Sequence, residues 1–101
     1  MQIQIISRRV TLTRARAAAI RGQLLAKLQR FAGGIGQVQM ELADGNGRRG
    51  GADKRCRIRV TLTQGTSIKL DDVQANLWNA VRRAVNKLES TMHRQFRAAS
   101  A

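Results

Sequence analysis

Proline and tyrosine are absent from this sequence, and cysteine and histidine each occur once. The single cysteine, Cys56, cannot form a disulfide within the chain, and together with His93 it falls short of a zinc site. His93 is expected on the polar flank of the last helix, exposed to solvent or phosphate. Nothing near it suggests the nucleophile and the orienting acid that a general base needs. Cys56 is expected on the core face of a strand as a buried thiol. The sequence therefore predicts neither an enzyme nor a bound metal or cofactor.

Long apolar runs and an N-terminal signal are also missing. No window reaches the apolar length of a membrane-spanning helix. The first six residues carry no basic residue before their short apolar run, which argues against a signal peptide and predicts a cytoplasmic location. The 101 residues, of which 43% are hydrophobic, suffice for one domain over residues 1–101 with one hydrophobic core.

Positive charge is the dominant feature of the composition. Nineteen Lys and Arg residues face six acidic residues, which gives a formal net charge of +13. Such an excess repels itself unless a polyanion neutralises it, so the candidate partners are nucleic acid, an anionic membrane or an acidic protein. Arginine outnumbers lysine, and its planar guanidinium binds two phosphate oxygens at once and stacks on bases. This favours nucleic acid, and a solvated basic surface without a partner is the alternative.

Hydrophobic periodicity predicts six elements in the order β-α-β-β-β-α. The predicted strands are residues 2–6, 36–43, 54–63 and about 66–70, and the predicted helices are residues 14–32 and 73–97. Thr13 is expected to cap the first helix, Gly33-Gly34 to end it, and Asp71 with Asp72 to cap the last helix. A sheet with one apolar face needs a cover. We therefore expect an α+β fold, a two-layer sandwich with a four-stranded sheet and two helices on one face.

Three basic surfaces are the positive evidence for a polyanion partner. On the last helix, four cations share one helical stripe, namely Arg83, Lys87, Arg94 and Arg97. Similar spacing on the first helix relates Arg16, Gln23, Lys27 and Arg30. The strand over 54–63 places Arg55, Arg57 and Arg59 on the open sheet face, where one of them could instead pair with Glu41.

The glycine-rich loop after the second strand does not match a nucleotide-binding motif, because it precedes a strand and lacks the Gly-Lys-Ser/Thr sequence. Its basic residues could still contact a phosphate backbone. The candidate RNA-binding residues are therefore Arg83, Lys87, Arg94, Arg97, Arg82, Arg48, Arg49, Lys54, Arg55, Arg57, Lys27 and Arg30.

Aromatic residues number only three, and proteins that bind single strands usually stack bases on exposed aromatic rings. Phe31 and Phe96 fit the core stripes of the two helices, and Trp78 lies beside the stripe of the last helix as a packing residue. The sequence therefore predicts recognition of RNA shape and phosphates rather than of base sequence.

Six short segments follow one another in a characteristic order. They are Met1-Gln2-Ile3-Gln4-Ile5, Val10-Thr11-Leu12-Thr13, Lys27-Leu28-Gln29-Arg30-Phe31, Gly50-Gly51-Ala52-Asp53-Lys54-Arg55-Cys56, and the last-helix pair Asn76-Leu77-Trp78-Asn79-Ala80-Val81 and Asn86-Lys87-Leu88-Glu89. No single segment is very specific, but the ordered set covers nearly the whole chain. It resembles the hibernation promoting factor / ribosome-associated inhibitor A family in its short form, as a divergent branch.

This resemblance implies a fold like that of a double-stranded-RNA-binding domain. It also implies binding in the mRNA and tRNA channel of the small ribosomal subunit, where the decoding and peptidyl sites would be blocked. Lys87 would contact rRNA through the Asn-Lys-Leu-Glu motif, and Arg94 and Arg97 would do so through the basic tail that follows. Trp78 replaces the family's usual Tyr, and Arg82 stands where an acid is common. The second domain with which long members pair ribosomes is not expected here.

We therefore expect a monomeric inhibitor of translation whose partner is small-subunit rRNA, with no membrane partner and no small-molecule substrate. Two alternatives stay open. A general binder of double-stranded RNA or tRNA would bind any A-form duplex with similar affinity. A protein-interaction module would instead use the open edge of the sheet or bind an acidic partner.

Overall fold

A computed structural model describes residues 1–45 and 53–100, with side chains through residue 97. The elements are β1 (Gln2–Arg8), α1 (Arg14–Leu28), a 3₁₀ helix (Gln29–Gly34), β2 (Ile35–Asp44), β3 (Lys54–Leu62), β4 (Ser67–Gln74) and α2 (Leu77–Ser100). Apart from the 3₁₀ helix, this is the predicted order of strands and helices.

The four strands form one mixed sheet in the order β1-β2-β3-β4. β1 runs parallel to β2, because α1 carries the chain back across the sheet between them. β2, β3 and β4 are successive antiparallel neighbours. The predicted α+β sandwich, with a four-stranded sheet and two helices on one face, is confirmed.

The core lies between the sheet and the two helices. Successive side chains of a strand point to opposite faces, so alternate residues of β2 and β3 face the helices and are fully buried. The helices contribute the apolar stripes that the sequence predicts. The buried residues of α1 are Ile20, Leu24 and Leu28, and those of α2 are Ala80, Val81, Ala84, Val85, Leu88 and Met92.

The start of α1 and the turn between β3 and β4 follow their local sequence signals. Thr13 caps α1, since its hydroxyl accepts a hydrogen bond from the backbone N–H of Arg16 at 3.2 Å. Gly65 adopts a φ of 106° in the turn, where a residue with a Cβ would be strained. Its N–H donates to the carbonyl of Leu62 at 2.9 Å. The predicted Thr13 cap is therefore confirmed.

The end of the first helix differs from the prediction. The α-helix stops at Leu28, and residues up to Gly34 form a 3₁₀ helix that buries Phe31. Gly34 therefore ends the 3₁₀ helix and does not cap α1. A Cβ at Gly34 would collide with the ring of Phe96, which stacks on Phe31 at 5.2 Å between centroids. Gly34 thus leaves space for the Phe96 ring, and its backbone is not in the left-handed region.

The predicted start of the last helix is wrong. Asp71 and Asp72 lie inside β4, with Asp72 in register opposite Cys56, and the strand continues to Gln74. Asn76 caps α2 instead, because its side-chain carbonyl accepts hydrogen bonds from the N–H groups of Trp78 at 2.8 Å and Asn79 at 3.2 Å. The two aspartates carry a helix-capping signal, but their cross-strand partners and cations on α2 hold them in the sheet.

Candidate nucleic-acid interface

A groove of about 490 Å³ runs between the β4 edge of the sheet and α2. It is lined by Leu70, Arg83, Asn86, Lys87, Ser90, Thr91 and Arg94. The α2 residues recur at spacings of three and four, which place them on one side of the helix. Guanidinium, ammonium, amide and hydroxyl groups thus line one surface, and these are the donors that proteins use to bind phosphate oxygens.

A buried carboxylate lies beneath one end of this groove. The side chain of Asp72 is only 3% exposed, and its Oδ2 lies 2.6 Å from Lys87 Nζ and 3.5 Å from Arg83 Nε. Gln74 Nε2 donates to Oδ1 at 2.8 Å. Burial raises the pKa of Asp72, but hydrogen bonds from Lys87 and Gln74 and the charge of Arg83 outweigh it and hold this pKa below its ordinary value. Asp72 is therefore ionised at neutral pH and offsets part of the charge on Lys87 and Arg83.

The other end of the groove keeps its positive charge. Arg94 Nη2 donates to Thr91 Oγ1 at 3.3 Å, and Thr91 in turn donates to the backbone carbonyl of Lys87 at 2.9 Å. Among the described residues Arg94 has no ion pair, whereas Arg83 and Lys87 share Asp72. The groove is therefore polarised, with its uncompensated charge at Arg94. Arg97 is exposed near the end of α2 and does not line the groove.

The other helix cations of the predicted set lie outside the groove. Arg82 is exposed and donates to Asn79 Oδ1 at 3.0 Å. Lys27 on α1 lies 3.5 Å from Glu89 on α2, which links the two helices. Arg30 is exposed, with its guanidinium carbon 6.0 Å from the centre of the Phe31 ring. Both Arg82 and Arg30 remain accessible to a partner.

The arginines of β3 are paired differently from the expectation. Asp71 on β4 lies 3.5 Å from Arg55 and 3.7 Å from Arg57. Glu41, the predicted alternative partner, pairs with Arg8 of β1 at 3.0 Å instead. The open face of the sheet therefore contains an ion-paired region centred on Asp71, which lowers the charge that Arg55 and Arg57 can offer to a phosphate.

Lys54 is held at the base of the β2–β3 connection. Its Nζ lies 2.8 Å from Asp44 Oδ1 and 3.0 Å from Asp53 Oδ1, and the hydrogen bonds to Asp44 and then Asp53 raise its pKa above the ordinary value. These contacts fix Lys54 as a link between two strand ends. The predicted contacts at Arg48 and Arg49 lie outside the described residues.

Cys56 and His93 serve packing. Cys56 is fully buried, as predicted, and burial together with the charges of Asp71 and Asp72 raises the pKa of its thiol to about 12. His93 is half-buried and packs edge-on against Phe31, with 5.2 Å between ring centroids and 87° between planes. The expectation of a solvent-exposed His93 is therefore wrong.

Sequence reasoning missed the polar members of the groove and the carboxylate beneath it. Asn86, Ser90 and Thr91 repeat the helical spacing of the predicted cations, so the spacing alone could have identified them. Asp72 gave no such signal, because its cationic partners lie on another element. A contact between Arg16 and Trp78, with 5.3 Å from the guanidinium carbon to the ring centre, was also missed.

Within residues 1–45 and 53–100, the helices are too short or too polar to span a membrane. In the same ranges, no cluster of three or more His, Cys, Asp or Glu side chains is placed to hold a metal ion.

Comparison with solved structures finds a similar fold in several other proteins. The N-terminal domain of Thermus thermophilus Protein Y is 24% identical, with a TM-score of 0.75 over 93% of this chain and 98% of that one. A ribosomal subunit interface protein from Coxiella burnetii is 21% identical, with a TM-score of 0.72 over 97% of this chain and 99% of that one. A comparison with curated proteins gives no match.

The sequence also matches a family model over residues 3–98, which is nearly its whole length. The model describes the sigma 54 modulation protein / S30EA ribosomal protein family, and this chain belongs to that family.

Proposed function

We propose that the protein is a ribosome-associated inhibitor of translation that binds small-subunit rRNA in the channel for mRNA and tRNA. Membership of the sigma 54 modulation / S30EA family supports the ribosome as the partner. The Coxiella burnetii protein of similar fold is named a ribosomal subunit interface protein, which agrees with that partner. The net charge of +13 and the donors of the α2 groove support RNA phosphates as the ligand.

The observation that carries the proposal is the uncompensated charge of Arg94. This side chain is exposed and lines the groove, and among the described residues it has no carboxylate partner. An RNA phosphate would supply the missing anion. Arg83 and Lys87 already share Asp72, so a phosphate adds less there. Arg94 is therefore the principal contact. Secondary contacts come from cations outside the groove, namely Arg97, Arg82, Lys27 and Arg30.

To inhibit translation in this way, the protein needs only to occupy the channel. A protein held in the channel by several phosphate contacts excludes tRNA and mRNA, and no covalent step is involved. Because each contact releases counterions from the RNA, the logarithm of the affinity should fall linearly with the logarithm of the salt concentration, with a slope of about −0.9 per contact for a duplex.

The test is co-sedimentation of the purified protein with small ribosomal subunits at fixed moderate salt, in the presence of increasing tRNA. The protein should pellet with the subunits, and tRNA should displace it. Arg94→Gln should pellet less, while Arg14→Gln should pellet as the unmodified protein does. Arg14 is a suitable control because it is an exposed arginine at the start of α1, away from the groove. Absence of pelleting, or pelleting that tRNA does not affect, would contradict the proposal.

A general binder of duplex RNA is the second candidate, and the placement of the aromatic rings favours it. Phe31 is 8% exposed, Phe96 stacks on it, and Arg16 lies over Trp78. Without a free ring on which to stack a base, the protein would recognise the A-form backbone alone. This candidate predicts the same affinity for small subunits, free duplex RNA and tRNA.

A further inference from the structure

Two cations lie directly opposite each other on the sheet face that the helices leave uncovered. Arg59 on β3 and Lys69 on β4 are register partners, and both side chains are exposed. They alternate with residues that face the core, among them the fully buried Ile58 and Val60. The Cβ atoms of directly opposed residues in such a pair lie about 5 Å apart. Backbone pairing thus places two cationic side chains at neighbouring positions on this face.

The neighbouring cations of this face have carboxylate partners. Arg8 pairs with Glu41, and Asp71 pairs with Arg55 and Arg57. Arg59 and Lys69 form no ion pair with any residue that the structure describes. The β2 partner of Arg59 is Gln39, whose amide nitrogen lies 3.5 Å from the Gln4 side-chain oxygen of β1. This row across the sheet therefore contains two positive charges and no negative one.

Like charges directly opposite in a sheet destabilise the free protein, and a bound anion would relieve that cost. A shallow cleft of about 340 Å³ lies beside the pair, lined by Arg57, Arg59, Lys69, Leu70 and Asp71. Leu70 also lines the α2 groove. The two basic surfaces therefore meet at β4, which is an edge strand of the sheet.

We infer that the RNA-binding surface continues from the α2 groove around the β4 edge and ends at Arg59 and Lys69, which bind a phosphate of the RNA backbone. The inference rests on the proposed function for the identity of the ligand. Arg59 and Lys69 are not part of the helix stripe. They provide the phosphate contact of the open sheet face. Arg55 and Arg57 contribute less, since Asp71 offsets part of their combined charge.

The test measures the affinity of the full chain for purified small ribosomal subunits over a range of salt concentrations. The variant is Arg59→Gln with Lys69→Gln, and the control is Arg9→Gln with Arg14→Gln, which removes the same charge away from both surfaces. The Arg59→Gln/Lys69→Gln variant should bind about tenfold more weakly than the control, and its log affinity–log salt slope should be shallower by about 0.9. Equal affinity and slope in the two double variants would overturn the inference. A weaker affinity with an unchanged slope would also overturn it, because the contact would not be with phosphate.

Failure of the proposed function gives a different result, since the unmodified protein would not bind small subunits at all and both proposals would fall together. A thermal measurement separates loss of a contact from loss of the fold. Lys69→Gln removes the like-charge contact, so the Tm of the free protein at low salt should rise by about 2 °C. A lower Tm would contradict the account of two unpaired charges.

Discussion

Lys87 on α2 and Asp72 on β4 form an ion pair of 2.6 Å in which the carboxylate is nearly inaccessible to water. Arg83 lies on the other side of the same carboxylate oxygen, at 3.5 Å. The pair joins the last helix to the edge strand at one end of the α2 groove. It thus connects the stability of the fold to the charge of its proposed binding surface.

Replacement of Asp72 by Asn should separate these two effects. The variant loses a buried charge with several hydrogen bonds, so the free energy of unfolding should fall by about 1 to 3 kcal/mol. RNA affinity should stay the same or rise, because Arg83 and Lys87 are released from their anion. Chemical denaturation and small-subunit binding measure the two quantities.

Asp71→Asn is the matched control, since Asp71 is the neighbouring aspartate on the open face and its side chain is 44% exposed. Its replacement should change the free energy of unfolding by less than about 1 kcal/mol, as is usual for exposed ion pairs. An equal loss of stability in both variants would show that burial does not make the ion pairs of Asp72 stronger than those of Asp71.

Acid should remove the contribution of Asp72. Its pKa is lower in the folded protein than the ordinary value of 3.8, so the folded state binds a proton less readily than the unfolded state. The stabilisation is therefore fully present above the unfolded pKa and is lost as the pH falls through the folded pKa. The difference in unfolding free energy between the unmodified protein and Asp72→Asn should be constant from neutral pH to about pH 5 and should shrink below about pH 4. A difference that persists in stronger acid would contradict an ionised Asp72.

The same aspartate shows where sequence reasoning ends. Local signals correctly gave the order of the elements, the Thr13 cap and the core stripes, because each depends on residues close together in the chain. Asp71 and Asp72 give the same local signal whether they cap a helix or lie within a strand. Their place in β4 depends on pairing with β3 and on the ion pair between Asp72 and Lys87. Lys87 lies on α2, fifteen residues further along the chain, so a local pattern does not include it.

The prediction of RNA-binding cations also depended on contacts between distant parts of the chain. Helical spacing identified Arg83, Lys87 and Arg94 as one stripe, and the structure places all three in the groove. Spacing could not show which charges are already neutralised, since their partners lie on other elements of the fold. It therefore ranked Arg83 and Arg94 as equals, although only Arg83 has a carboxylate partner among the described residues.

Arg94→Gln and Arg83→Gln should differ in RNA binding. Removal of the uncompensated Arg94 should weaken binding to small subunits about three- to tenfold and make the log–log salt slope shallower by about 0.9. Removal of Arg83 should have a smaller effect, because Asp72 already offsets its charge. Affinities measured over a salt series test this ranking. Equal losses would show that Asp72 does not reduce the charge available at Arg83.

Gly34→Ala should destabilise the protein through a single side-chain contact. Its new methyl group would overlap the Phe96 ring, which is stacked against Phe31, so the rings must shift. Overpacking of this kind costs about 1 to 3 kcal/mol of unfolding free energy. Gly33→Ala is the control, because no atom outside its immediate neighbours lies within 4 Å of the added carbon. Denaturation of the two variants should show a clear loss for residue 34 and little change for residue 33. Equal stability would mean that the Phe96 ring moves aside at no cost and that the glycine is not required for packing.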